Sequence, residues 1–304
     1  MPKKPKLIVI LGPTSSGKTR LAVKLAGFFN GEIVSADSRQ VYKGMDVGTG
    51  KDLAEYGNIP HHLIDVVSPK KQFTLADYQK KAYKAIDKIL KKGKLPFLVG
   101  GSGLYLQSVV DGYRLTKARP QKSLRAFLNF LTLEKLQEMA KFEKIKLNQS
   151  DFNNKRRLIR AIEIRQKNKE QGIKSKEPKY NCLQIGLTLP REKLNKKIEQ
   201  RLKYRLEKQG LIDEVKRLRQ QGVSWQRLDD FGLEYRFIAK YLQNELSYEE
   251  MFEKLSMASR QFAKRQMTWF SAHGGSASGG KRDKRIYWLK NLSQAKKLIS
   301  NFTK

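Results

Sequence analysis

A chain of 304 residues, 39% hydrophobic and 10% aromatic, is long enough for one large domain or two modest ones around a real core. Its 63 Lys and Arg against 29 Asp and Glu leave a formal charge of +34, more than solubility requires, so a polyanion such as nucleic acid is the expected partner and a merely cationic surface the alternative. The single cysteine, Cys182, excludes an internal disulfide and a cysteine-ligated metal cluster and reads as core filler. The apolar run Leu7 to Leu11 is too short for a signal peptide or a membrane span, so a cytoplasmic protein with no membrane association is expected.

The chain opens with a β-branched run, Lys6 to Leu11, that ends in glycine and precedes a helical pattern from Lys18 to Phe29. Glu32 to Ala36 reads as a second strand, Leu75 to Leu90 as a helix, and Leu95 to Val99 as a third strand running into Gly100, Gly101 and Gly103. Strands alternating with helices predict an α/β fold, a P-loop parallel sheet flanked by helices. From about Pro120 to Ile145 the pattern is short, charged and helical, with Leu124, Phe127, Leu128 and Leu131 as its apolar stripe. A strand over Leu183 to Leu189 returns to the sheet. The remainder is a helical C-terminal region, with helices over Leu194 to Glu207, Leu211 to Gln220 and Tyr248 to Phe270, then a glycine-serine stretch, 273–280. The expected organisation is a first part of the core over 1–117, a small helical insertion over 118–151, and core completion with a helical region over 152–304.

Gly12, Pro13, Thr14, Ser15, Ser16, Gly17, Lys18 and Thr19 satisfy G-x-x-x-x-G-K-[ST] between a strand and a helix. The glycines let backbone N–H groups and the helix N-terminus face an anion, Lys18 adds a point charge, and the Thr19 hydroxyl can hold Mg²⁺. Such a loop identifies a di- or triphosphate without saying what is done to it. A kinase or ATPase usually sets an Asp at the end of a second apolar strand; here Leu95 to Val99 ends in Gly-Gly-Ser-Gly, and Asp65 is the substitute that keeps this reading open. Asp37 follows the second strand, on the sheet edge shared with the phosphate loop, where it reads equally as a functional carboxylate or a helix N-cap.

The series Gly12 to Thr19, Asp37-Ser38-Arg39-Gln40-Val41-Tyr42, Gly48-Thr49-Gly50-Lys51, His61-His62-Leu63-Ile64-Asp65 and Gly100-Gly101-Ser102-Gly103-Leu104-Tyr105 resembles the ordered motifs of the tRNA dimethylallyltransferases. Further matches are Arg156 to Glu163, Ile198 to Arg201 and Ser259 to Phe270. The resemblance implies transfer of a dimethylallyl group from dimethylallyl diphosphate to N6 of the adenosine 3′ of the tRNA anticodon. It implies Asp37 as the base, with Lys18, Thr19 and Mg²⁺, Ser102 and Arg201 on the diphosphate. Ser102 stands where that family usually has threonine and keeps the hydroxyl. The helical insertion, which grips the anticodon stem in that family, is short here.

For the RNA, Arg156, Arg157 and Arg160 share one helical turn, and Arg260, Lys264 and Arg265 recur at helical spacing on a second helix. Such runs are commonly solvated faces; next to Trp269 and Phe270 they read as phosphate contacts beside a stacking platform. A core position for Trp269 is the equal alternative, and Met139, Met251 and Met257 read as packing. A flipped adenosine over the phosphate loop would bring Asp37 and Ser38 to the RNA, Gln40 to the base and Arg39 to the backbone. The expected partners are the tRNA anticodon stem-loop and dimethylallyl diphosphate, met by a monomer.

Overall fold

The computed structural model describes residues 3–115, 121–167, 174–175, 178–272, 285–289 and 292–304. The glycine-serine stretch 273–280 and the basic residues up to 284 lie outside the described residues. In chain order the strands are β1 (Lys6–Leu11), β2 (Gly31–Ser35), β3 (His61–His62), β4 (Leu95–Gly100), β5 (Tyr113–Arg114), β6 (Lys174–Ser175), β7 (Asn181–Gly186) and β8 (Ile286–Trp288). The helices are α1 (Lys18–Phe28), α2 (Leu75–Lys91), α3 (Gly103–Val110), α4 (Lys122–Phe130), α5 (Leu133–Phe142), α6 (Gln149–Phe152) and α7 (Lys155–Lys167). They continue with α8 (Arg191–Glu207), α9 (Leu211–Gln220), α10 (Trp225–Phe231), α11 (Leu233–Leu242), α12 (Tyr248–Ala272) and α13 (Leu292–Thr303).

The chain divides into two compact units, 1–110 with 178–304, and 111–177. In the first, six strands pair in the order β3-β2-β4-β1-β7-β8, every pairing parallel. Because side chains alternate across a strand, β1 is shared between two cores. Leu7, Val9 and Leu11 pack with Tyr78, Ile86, Leu106 and Phe270 on one face, and Ile8 and Ile10 with Leu25, Ala26 and Ile299 on the other. The five β1 side chains from Leu7 to Leu11 are buried, each worth about 1.5–3 kcal/mol. A third core joins α8 to α12 around Tyr235, Ile238, Leu211 and Met251 and takes in Val41 and Met45 from the loop after β2. Helix α2 is fixed at its start by a capping box in which Thr74 and Asp77 bond each other's backbone amides.

The second unit is helical. Its core is Leu128, Leu136, Ala140, Leu158, Ile159 and Ile162, and β5 and β6 pair antiparallel within it. It extends beyond the 118–151 expected from the sequence, since Leu158, Ile159 and Ile162 of α7 close the same core as α4 and α5. Phe127 departs from the expected stripe: one residue before buried Leu128, it is turned about 100° away and stands 57% exposed. Met251 is buried and Met139 packs in the helical unit, whereas Met257 is 46% exposed. No helix among the described residues is long and apolar enough to cross a membrane.

Candidate active site

Strand β4 lies between β2 and β1, so the loops after these three parallel strands emerge together at one sheet edge. The first is the phosphate loop. Gly17 caps α1 at φ 86° without a side-chain hydrogen bond, so the helix offers its N-terminal amides to a ligand. Gly12 is required by a close approach, since a Cβ there would collide with the Leu187 carbonyl. Lys18 Nζ donates to Pro13 O at 3.2 Å. Burial lowers its pKa to about 8, with the Asp37 carboxylate opposing and Arg201 assisting the shift. The buried Ser16 hydroxyl has no hydrogen-bond partner among the described residues. Thr19 opens the helix beside Lys18, half-buried.

The second loop carries Asp37. Oδ1 accepts from the amides of Arg39 at 2.9 Å and Gln40 at 3.3 Å, so the side chain closes a turn, and no helix follows for it to cap. The Asp37 charge bears on Lys18, Arg39 and Tyr56. The third loop, after β4, is bound to the second: Ser102 N donates to Ala36 O at 3.3 Å, and Ser102 Oγ accepts from Ser38 N at 3.0 Å. Gly100 is needed for that approach, because a Cβ would strike the Ala36 carbonyl.

Helix α8 adds Arg201, whose Nη2 donates to Thr14 Oγ1 at 3.1 Å. Burial, and then the neighbouring Arg205, lower its pKa to about 10. Thr14, Ser15, Arg39, Arg201, Arg205 and Glu234 line a pocket whose apolar walls include Leu202 and Phe262. A guanidinium-rich cleft against a phosphate loop is built to hold a multiply charged anion.

Several residues expected at the RNA are engaged inside the protein. Arg39 does not project to solvent; its Nη1 pairs with Glu234 Oε2 at 2.7 Å and its side chain is 18% exposed. Gln40 is likewise tied down: Oε1 accepts from Ser35 Oγ at 3.0 Å and Nε2 donates to Gly50 O at 3.0 Å, so its amide braces the following loop. Trp269 packs half-buried against the sheet core, with its ring where a Gly103 Cβ would be. Phe270 is buried. Arg157 pairs with Asp151 at 2.6 Å, Arg160 with the buried Glu163 at 3.1 Å, and Arg260 with Glu199 at 3.4 Å. Ser38, Arg156, Lys264 and Arg265 are exposed.

Four residues that shape the site carried no expected role. Glu214, buried on α9, accepts from the amides of Asp46 and Val47, both at 2.7 Å, and of Gly48 at 3.0 Å, and Tyr235 Oη donates to it at 2.8 Å. Lys51, 1% exposed, pairs with Asp46 at 2.6 Å and Asp65 at 2.5 Å. This pairing occupies the Asp65 carboxylate that the kinase reading needed for a metal. Arg205 packs against Gly50. Gln266 joins the first and third loops, and no sequence pattern signals its partners.

An IPP transferase family model matches residues 40–273, and an isopentenyl transferase model matches 5–59. The chain is 49% identical over 271 residues to a tRNA dimethylallyltransferase 1 of Syntrophus aciditrophicus, covering 87% of this chain and 88% of that one. It is 44% identical to a tRNA dimethylallyltransferase 2 of Shewanella sediminis, with 93% and 92% covered. Among solved structures, the full-length tRNA isopentenylpyrophosphate transferase of Bacillus halodurans superposes with a TM-score of 0.71 at 36% identity, over 99% of this chain and 96% of that one. A eukaryotic dimethylallyltransferase acting on tRNA superposes with a TM-score of 0.74 at 26% identity, over 98% and 77%. With its phosphate loop, its Asp37 turn and its Ser102 loop on one sheet edge, the chain belongs to the IPP transferase family.

Proposed function

We propose that the protein transfers the dimethylallyl group of dimethylallyl diphosphate to N6 of the adenosine 3′ of the anticodon in tRNA, acting as a cytoplasmic monomer. The observation that carries this reading is the Asp37 carboxylate on the same sheet edge as the phosphate loop, near enough for its charge to bear on Lys18. An adenine N6 amine is a weak nucleophile because its lone pair is delocalised, so attack on the allylic carbon needs a base. The two turn amides hold Asp37 Oδ1, which leaves Oδ2 to take the N6 proton. The N6 lone pair forms the new C–N bond, the allylic C–O bond breaks, and its electron pair leaves on diphosphate. Lys18, Arg201, Ser102 and the loop amides face the charge that develops on that leaving group, each such donor contributing about 3 kcal/mol.

The donor set suits Mg²⁺, which prefers hydroxyl and phosphate oxygens and keeps several waters. The Thr19 hydroxyl, in the same loop as the buried Ser16 hydroxyl that has no hydrogen-bond partner among the described residues, would hold the ion against the diphosphate and so neutralise negative charge. Among the described residues no group of three or more His, Cys, Asp or Glu is placed to bind a metal.

For the RNA we assign phosphate contacts to Arg156, Arg157 and Arg160 on α7 and to Arg260, Lys264 and Arg265 on α12, with Ser38 beside the extruded base. The test is incubation of the protein with Mg²⁺, dimethylallyl diphosphate and a tRNA carrying adenosine 3′ of its anticodon, followed by mass spectrometry of the nucleosides. N6-dimethylallyladenosine is expected. Nucleotide hydrolysis without a prenylated nucleoside would replace this reading with that of a kinase or ATPase.

A further inference from the structure

We propose that Gln266 is a positioning residue that sets the gap between the diphosphate cradle and the loop supporting Asp37; the inference rests on the function proposed above. The inner face of α12 is a buried stripe, Ser256, Ser259, Ala263, Gln266 and Phe270. Gln266 is its one side chain with both a donor and an acceptor on a long arm. Oε1 accepts from Thr14 N at 2.9 Å, and Nε2 donates to Gly101 O at 2.9 Å. Thr14 N can only donate and Gly101 O can only accept, so the amide has a single permitted orientation. Gly101 is glycine because a Cβ would overlap Gln266 Nε2.

From Gly101 the linkage passes to Ser102, from its hydroxyl to the Ser38 amide, and so to the residue next to Asp37. The amide therefore spans the cradle and the base without touching a reacting atom. A neutral group is required there. A carboxylate of the same shape would keep the Thr14 bond, lose the donor to Gly101 and set a negative charge beside a loop that binds anions.

Calorimetry with Mg²⁺ and inorganic diphosphate, without tRNA, tests this on the wild type, Gln266→Met, Gln266→Glu and Gln266→Asn. Loss of two hydrogen bonds in Gln266→Met should raise the diphosphate Kd roughly tenfold. Gln266→Glu, though isosteric, should raise it by at least a further tenfold, with the KM for dimethylallyl diphosphate following and tRNA affinity unmoved. Gln266→Asn keeps the amide on a shorter arm and should move Kd in the same direction, which keeps the test decisive if the glutamate variant does not fold. A purely packing role predicts the opposite order, with the isosteric glutamate milder than methionine and every change tracking the loss of melting temperature. That order, or unaltered Kd values beside wild-type binding, overturns this proposal alone. A wild-type protein that binds no diphosphate overturns the donor assignment as well.

Discussion

Asp37 and Lys18 carry opposite duties at one sheet edge. If Asp37 is the base, Asp37→Ala should lower the single-turnover rate by about two to four orders of magnitude while tRNA affinity, measured by filter binding, stays near the wild-type value. An unchanged rate removes the carboxylate from the reaction. For Lys18, burial brings the folded-state pKa from the usual 10.5 to about 8. Because the fold disfavours the cation, its burden on stability is full below about pH 8 and fades as pH rises towards 10.5. Lys18→Met should thus raise the melting temperature at pH 7 and gain less at pH 10. Binding has the opposite preference, since an anion needs the cation. Wild-type diphosphate affinity should fall above pH 8 by up to about tenfold per pH unit with proton uptake, a component that Lys18→Met lacks. A variant with the wild-type slope would show that another group titrates.

At the scale of elements, the loop over 46–51 shows how a functional edge is built from distant residues. Glu214 gathers three consecutive amides and the Tyr235 hydroxyl, so Glu214→Ala strands several buried donors and should destabilise the fold by about 3 kcal/mol or more. Urea denaturation with an unchanged m-value is the measurement, and a loss within 0.5 kcal/mol, the range of an ordinary surface substitution, would mean that water satisfies those amides. The phosphate loop, β1, β2 and β4 were legible in the sequence because each is written in a few adjacent residues. Glu214 and Gln266 were not, since their partners lie as much as 168 and 252 residues away and appear only when the sheet edge closes. Trp269 was ambiguous for a related reason: spacing shows that a residue lies on one stripe of a helix, but not which stripe meets the core. The internal partners of Arg39 and Gln40 were not legible, because polar side chains after a strand look available until Glu234, Ser35 and Gly50 are found holding them. Strand β8 was not legible because it is only three residues long.

Across the whole molecule, an excess of +34 charges is far more than the diphosphate site can use. Some of the 63 Lys and Arg pair with carboxylates already counted in that balance, as Arg157, Arg160 and Arg260 do and as Arg39 and Lys51 do in buried pairs. Helix α12 illustrates how other cationic side chains stand. Its inner stripe reaches the phosphate loop through Gln266, while Lys264 and Arg265 stand on its outer side. If that outer side follows an RNA backbone, each phosphate contact releases counterions and steepens the dependence of affinity on salt by roughly 0.9 in a plot of log K against log salt. Replacing Arg260 and Lys264 together by alanine should flatten the slope for tRNA by up to about 2 and weaken binding most at low salt. Arg260 must first leave Glu199, an exposed pairing worth at most about 1 kcal/mol, so it should contribute less than Lys264 when each is replaced alone. Inorganic diphosphate binding, measured in parallel without tRNA, should not change, because neither side chain faces the pocket beside the phosphate loop. A tRNA slope equal to that of the wild type would place the RNA on another surface and leave α12 with its structural role alone.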